Sequence, residues 1–417
     1  MKILVIAAYS PIINNSAAIE SLSYLNALCD LGHEIHVLTV DFKKNSVYYD
    51  ENIVSMLDKR VKMHKVSPGK IFERAVPKKS SQRGNEQRNK FKPIIKGIKN
   101  KIMIPDAYCF WINKAYEYYI RNLRKENFQV IFSMHEPPSS HLVALKIKKR
   151  DKIKWIAYFS DPWVFDSSRE KIGAFRKSIE SSMEKRVIKN ADKYIFVTEE
   201  NKNDFIRRYG IDEENIEVLR RSYNDKIYDE IRANLKREWN KEINIVYTGE
   251  IFTKLRDITP FLQCIKKIKE EDYDLYKRLR VYFYGNIDST SIIEHINTID
   301  IIKLMPRISF KEAIEKILGA DILLIFGNKG SKQIPAKIYD YLGGNSPILG
   351  ILGDENDPLR YICSGIEKCF IVKNNILDIE KQLYNIIKEL DRGTIYEEHK
   401  KYSYNNFMKK LHKIIEN

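Results

Sequence analysis

Short apolar runs the length of buried strands alternate with amphipathic stretches of helical period, and this alternation occurs twice along the 417 residues. In the first series, 3–8, 34–40, 130–133, 155–159, 193–198 and 216–219 read as strands. Between them, 17–31, 107–127, 140–149, 169–190 and 199–209 carry helical spacing. The polar stretch 220–242 reads as a linker. A second series follows, with strands at 244–249, 280–285 and 320–326, helices at 259–271 and 310–318, and helical stretches at 376–391 and 395–415. Strands joined by helices of this length must run parallel, with crossover connections. The expected fold class is therefore α/β, with two Rossmann-like domains facing a central cleft and ligands at the C-terminal ends of the strands. The boundaries expected are 1–220 for the first domain, with a basic insertion at about 59–104, and 221–394 for the second. The C-terminal helix of 395–417 is expected to cross back to the first domain.

Composition limits the function classes. With 43% hydrophobic and 31% charged residues the chain is globular. No apolar run approaches the roughly 18 residues of a membrane span, and the N-terminal run is too short for a secretory signal. The cysteines Cys29, Cys109, Cys264, Cys363 and Cys369 are scattered and show no metal-ligand spacing, which favours a reducing cytoplasmic compartment. The formal charge of +16 is uneven: 59–101 holds 15 basic residues against two acidic ones. Such a block implies an anionic partner. Beyond it, Ile94, Ile95, Ile98 and Ile102 alternate with lysines, the pattern of a basic amphipathic helix on a membrane surface, although Gly97 weakens that helix. A solvated loop is the competing reading, because 78–90 has no apolar side chain.

The richest motif is the segment 334–349. Pro335 suits a first helical turn, Gly343-Gly344 a left-handed stop, and Pro347 prevents continuation. The buried-strand run 320–326 and the Gly- and Lys-rich loop 327–333 precede it. Strand, basic loop and helix start can bind a phosphate, and Asp340 one turn in can reach a ribose hydroxyl. An ordinary βα connection with a Lys337–Asp340 pair explains the segment equally well. The loop after the first strand holds no glycine, so the dinucleotide fingerprint is missing and NAD is not expected.

Taken in order, several motifs resemble those of retaining glycosyltransferases of the two-Rossmann GT-B type, in the large family 4. They are Leu31-Gly32-His33-Glu34, His135-Glu136-Pro137-Pro138, Ser160-Asp161-Pro162-Trp163, Tyr247-Thr248-Gly249-Glu250-Ile251-Phe252, and Pro335 through Pro347. The resemblance spans nearly the whole chain. It implies that a nucleotide-diphosphate sugar, with a UDP-sugar the expected donor, binds the second domain. Arg256 is implied as the phosphate cation, where a guanidinium stabilises leaving-group charge. Gly249, Glu250, Lys254, Ile334, Ala336 and Lys337 are implied around the diphosphate, and Asp340 at the ribose. Gly285 and Arg307 are implied at the base. The chain departs from the family in placing Lys332 where a sugar-contacting glutamate is usual, and Glu250 where an arginine is common.

On the first domain, Asp161 follows a strand end. It reads as an acceptor-positioning residue or base, or equally as the turn residue of an Asp-Pro pair. Asn14, His135, His141 and Trp163 are the acceptor-side candidates, and each histidine reads also as structural. No catalytic metal and no cofactor are expected. The resemblance implies front-face chemistry, in which the enzyme positions the acceptor hydroxyl and stabilises the departing diphosphate.

The function expected is transfer of a sugar to a lipid-linked or cell-envelope polysaccharide acceptor, by a cytoplasmic protein peripheral on the inner face of the membrane. One alternative is a nucleotide-sugar 2-epimerase, which needs paired carboxylates. Another is a non-catalytic basic protein binding membrane or nucleic acid. Nucleic acid is not expected as a partner, because aromatics do not interleave with the basic residues as stacking platforms do.

Overall fold

The computed structural model describes residues 1–9, 11–46, 49–69, 103–165, 172–235, 242–330 and 333–416. Lys332 and most of the basic block, including the lysine- and isoleucine-rich run 91–102, lie outside the described residues. The chain divides into two units: Met1–Arg220 with Met408–Asn417, and Arg221–Phe407.

The first unit holds seven strands: β1 Lys2–Ala7, β2 Glu34–Val40, β3 Lys62–Val66, β4 Val130–Met134, β5 Lys154–Phe159, β6 Lys193–Phe196 and β7 Ile216–Val218. They form one parallel sheet in the order β3-β2-β1-β4-β5-β6-β7. The second unit holds β8 Ile243–Thr248, β9 Leu279–Tyr284, β10 Ile302–Met305, β11 Ile322–Phe326, β12 Ile348–Ile351 and β13 Cys369–Val372, in the order β10-β9-β8-β11-β12-β13. This sheet too is parallel throughout. Counted within its own unit, the second sheet runs 3-2-1-4-5-6, the doubly wound Rossmann order, and the first adds one strand to the same order. The fold is α/β with two Rossmann-like units.

Burial accounts for the strands. All five residues of β11 (Ile-Leu-Leu-Ile-Phe) are buried, because helices cover both faces of the sheet. Each buried Leu, Ile or Phe contributes about 1.5–3 kcal/mol relative to exposure. In the first unit Trp155, Phe159 and Phe196 line a shared core. Among the described residues no helix is long and apolar enough to cross a membrane.

Several sequence expectations change. Lys62–Val66, inside the expected basic insertion, is the edge strand β3. Its apolar content is small because an edge strand needs only one packed face. The expected linker 220–242 contains the helix Asp225–Asn234, which buries Tyr228 and Ile231 and is capped by Asn224. The expected helix at 107–127 is α-helical only over Cys109–Tyr118, then closes through a π turn and a 3-10 turn to Asn127 at φ 54°. The expected C-terminal helix begins at Tyr404, after the 3-10 turn Lys400–Tyr402.

Candidate functional site

In a doubly wound sheet the loops diverge where the strand order reverses, and ligands bind there. In the second unit this point lies between β8 and β11. Gly249 leaves β8 at φ 107°, a conformation that favours glycine, and a Cβ there would also come within 3.0 Å of Lys337 Nζ. Gly285, after β9, stands at φ 136°, and its Cβ would meet the Gly249 carbonyl at 2.5 Å. Its role is therefore steric: it lets two loops cross.

The β8 loop is built from its own hydrogen bonds. Ile251 N–H donates to Asn286 O at 2.9 Å, and Thr253 donates through N–H and Oγ1 to Asp288 Oδ1 at 2.8 Å each. Lys329 N–H, from the loop after β11, donates to Leu255 O at 2.8 Å. Arg256 is thus presented from a braced loop. Its Nε donates to Asn328 Oδ1 at 2.9 Å, and a terminal nitrogen donates to Glu250 O at 2.7 Å and reaches Tyr247 Oη at 3.4 Å. Lys337 Nζ donates to the same Tyr247 oxygen at 2.5 Å and lies 3.8 Å from the centre of its ring. Burial, and then the Arg256 charge, hold the Lys337 amine well below the ordinary lysine range.

Asp340 stands one turn beyond Lys337 and remains partly exposed. Its carboxylate makes no hydrogen bond among the described residues. Burial pushes it up to about 6 against the opposing pull of Arg221 and Lys337. Two cations and a carboxylate with open hydrogen-bonding capacity therefore converge at the switch point. Of the other expected donor residues, Glu250 and Arg307 form a half-exposed ion pair at 3.3 Å, and Lys254 is exposed, acting electrostatically on Asp288.

The segment 334–349 differs from expectation at both ends. The helix is Lys337–Gly343, with Ala336 as its N-cap. The amides of Ile338 and Tyr339, just beyond the turn at Ile334–Lys337, bond Pro335 O at 3.0 Å and Ala336 O at 3.2 Å. Gly344 is extended at φ −80°, not left-handed, and Gly343 is small because a Cβ there would strike the Tyr223 ring at 2.5 Å. The helix is stopped from a distance: the buried Lys368 ammonium donates to Tyr341 O at 3.3 Å, Leu342 O at 2.9 Å and also Gly344 O. A cation at a helix C-terminus satisfies orphan carbonyls and complements the dipole. Tyr247 and Asn328 carry the geometry and were not foreseen. The available signal was a tyrosine at the C-terminal end of an otherwise aliphatic strand, just before Thr248-Gly249.

In the first unit the expected residues part company. Asp161 lies two residues past β5, partly exposed, and accepts a hydrogen bond from Ser160 Oγ at 3.2 Å. Asn14 Nδ2 donates to Asp50 Oδ2 at 2.9 Å, while its neighbour Asn15 caps the helix Ser16–Asp30. His141 is 0% exposed. Ser133 Oγ accepts from Trp155 Nε1 at 2.7 Å and shares a second hydrogen bond of 2.7 Å with His141 Nδ1. Burial, and then His135 beside it, drive the proton affinity of this imidazole well down, so the ring is held neutral. Trp163 is also 0% exposed, with Nε1 donating to Glu180 Oε2 at 3.0 Å. His141 and Trp163 are core residues, with no surface through which to meet an acceptor. His135 is buried against Phe159 and Trp163.

The region beneath them is a buried polar network. Glu180 also accepts from Arg176 Nε at 2.6 Å, and Glu184 accepts from Tyr209 Oη at 2.5 Å. Asp106 accepts from Ser139 N–H and Oγ at 2.9 and 2.7 Å. Burial pushes the Glu184 carboxyl up to about 7 and raises that of Asp106.

Sequence comparison addresses this unit directly. Residues 22–226 match Glycosyltransferase Family 4. The chain carries a Glycosyltransferase Family 4 domain. Its architecture of two parallel sheets is the GT-B fold, and solved structures share it over the full chain. Sucrose-phosphate synthase from Thermosynechococcus elongatus is similar with a TM-score of 0.64 at 12% identity, over 100% of this chain and 98% of that one. A mutant of S. aureus TarM, in complex with Fondaparinux, alpha-GlcNAc-glycerol and UDP, is similar at 0.61 and 11% identity over 100% of both chains. The UDP-GlcNAc 2-epimerase of Methanocaldococcus jannaschii is similar at 0.57 and 11% identity, over 100% of this chain and 99% of that one. At these identities the likeness is one of fold. No curated protein sequence matches the chain.

Proposed function

We propose that this family 4 protein is a retaining glycosyltransferase that moves a sugar from a nucleotide-diphosphate donor, a UDP-sugar being the one expected, to a lipid-linked or cell-envelope polysaccharide acceptor. One observation carries the reading: Arg256 and Lys337 converge at the β8/β11 switch point, with Asp340 one turn away. That is the charge pattern a diphosphate next to a ribose requires. The cations neutralise the departing diphosphate, and the ionised Asp340 accepts hydrogen bonds from the ribose hydroxyls. The UDP bound by TarM supports a uridine donor by analogy of fold.

In a front-face reaction the acceptor oxygen bonds the anomeric carbon on the face from which the diphosphate oxygen leaves, and the acceptor proton passes to that leaving oxygen. The protein's share is positioning and charge stabilisation. Asp161, past the end of β5, is the residue proposed to orient the acceptor hydroxyl. Two fixed cations supply charge of the kind a divalent ion gives elsewhere, so turnover is proposed to be metal-independent. The basic block is proposed to hold the protein on anionic membrane.

The epimerase reading shares the fold. Against it, Glu180, Glu184 and Asp106 are each engaged in interior hydrogen bonds. The deciding experiment measures release of nucleoside diphosphate from a panel of nucleotide sugars, with and without excess chelator. Release from one donor that persists in chelator is expected. No release and no nucleotide binding across the panel would sink the proposal.

A further inference from the structure

A phenol has one proton to donate and two lone pairs to offer. In Tyr247 all three are engaged: the hydroxyl donates to Glu250 O at 3.0 Å and accepts from Lys337 Nζ at 2.5 Å and from Arg256 at 3.4 Å. Tyr247 is 0% exposed, and its ring is wedged against Phe283 and Phe326, with centroids 5.7 Å away in each case. The oxygen is therefore fixed. The Lys337 and Arg256 nitrogens, at 2.5 and 3.4 Å from that oxygen, lie within about 6 Å of each other. Like charges this close repel unless an acceptor or an anion lies between them. Asn328 steadies the arrangement. Its Oδ1 accepts from Arg256 Nε, and its Nδ2 donates to Gln333 O at 3.3 Å, which sets the orientation of the amide.

We propose that the Tyr247 hydroxyl is the positioning group of the donor site, holding the Arg256 guanidinium and the Lys337 amine on one oxygen and so presenting both to the diphosphate when the donor arrives. This rests on the donor-site reading above and names a residue and a proton event that the reading lacks. Without a donor, burial and then Arg256 press the Lys337 amine toward its neutral form, against the opposing pull of Asp340 and Glu250. A diphosphate reverses that balance by adding negative charge beside the amine. Binding therefore takes up a proton from solution, which lands on Lys337 Nζ. The hydroxyl favours the charged amine by accepting its hydrogen bond, so removing it lowers the amine's proton affinity.

The test is calorimetric titration of UDP, GDP, ADP and inorganic pyrophosphate into the full chain, in buffers of differing ionisation heat and over a range of pH. Tyr247→Phe is compared with wild type, since it keeps the ring and its packing. Wild type is expected to take up a proton on binding. Tyr247→Phe is expected to bind about tenfold more weakly, the loss of one hydrogen bond to a charged group, with its uptake displaced to lower pH. Equal affinity and an equal uptake profile would overturn the inference and leave the donor-site reading intact. Weaker binding with an unchanged uptake profile would assign the hydroxyl to packing alone, and would also overturn it. If wild type binds none of the four ligands, the donor-site reading falls and this inference falls with it.

Discussion

The two units share one strand order and treat their polar residues in opposite ways. In the second unit Arg256, Lys337 and Asp340 come together at a switch point while keeping part of their surface in solvent. In the first, the polar and aromatic landmarks sink: His141 and Trp163 are core residues over a network of buried carboxylates. A βα loop can gather charge in water cheaply, whereas the same groups moved inside must be neutralised or fully hydrogen-bonded. Polar residues near a strand end thus have two destinations, and only the partly exposed one can meet a substrate.

The contrast can be broken most sharply at Arg256. Arg256→Ala should lower turnover about 10²–10³-fold, the usual cost of losing one preorganised group that stabilises leaving-group charge. Nucleoside-diphosphate release measures this, and the unfolding midpoint should stay close to wild type. Near-normal turnover would remove the catalytic meaning of the convergence.

The buried network predicts a stability effect instead. Glu184 has a folded-state value of about 7 against an ordinary 4.5. Its stabilising contribution is therefore complete below about 4.5 and disappears as pH rises through about 7. Wild type should lose up to about 3 kcal/mol between pH 5 and 8 from this group alone. Glu184→Gln, which still accepts from Tyr209, should flatten that slope in denaturant titrations. An unchanged slope would mean that the carboxyl titrates as though exposed.

Asp340 gives the smallest effect. Its carboxyl is raised to about 6, so it is ionised above that pH and loses acceptor capacity below it. Donor affinity should weaken as pH falls through about 6, and Asp340→Asn should bind about tenfold more weakly at pH 8 and show a flatter pH profile. A mutant that keeps the wild-type profile would relocate the ribose contact.

Much of this was legible in the sequence. The apolar runs of β1, β4, β5, β8, β9 and β11 stand out because both sheet faces are covered, so every residue in them is selected for burial. The edge strands β3, β7, β10 and β13 are short or half polar, and β3 is masked by its lysines. In the site, Lys337 and Asp340 stood out from the order of strand, basic loop and helix over 320–349, whereas Arg256 was reached only through the family resemblance. Tyr247 and Asn328 were not, since an aromatic strand residue and a loop asparagine signal nothing until the fold brings the cations to them. The glycine stop at Gly343-Gly344 misled for a related reason. A side chain some 25 residues downstream does that work, and local sequence cannot register it.

That distant stop couples the helix to the edge of its sheet. The Lys368 ammonium reaches the last carbonyls of the helix Lys337–Gly343 from the residue immediately before β13. The seven-residue helix is too short to persist alone in water. Its last carbonyls are satisfied only while the outermost strand of its sheet is in place, so the order of the segment bearing Lys337 and Asp340 is tied to the hold of that edge strand.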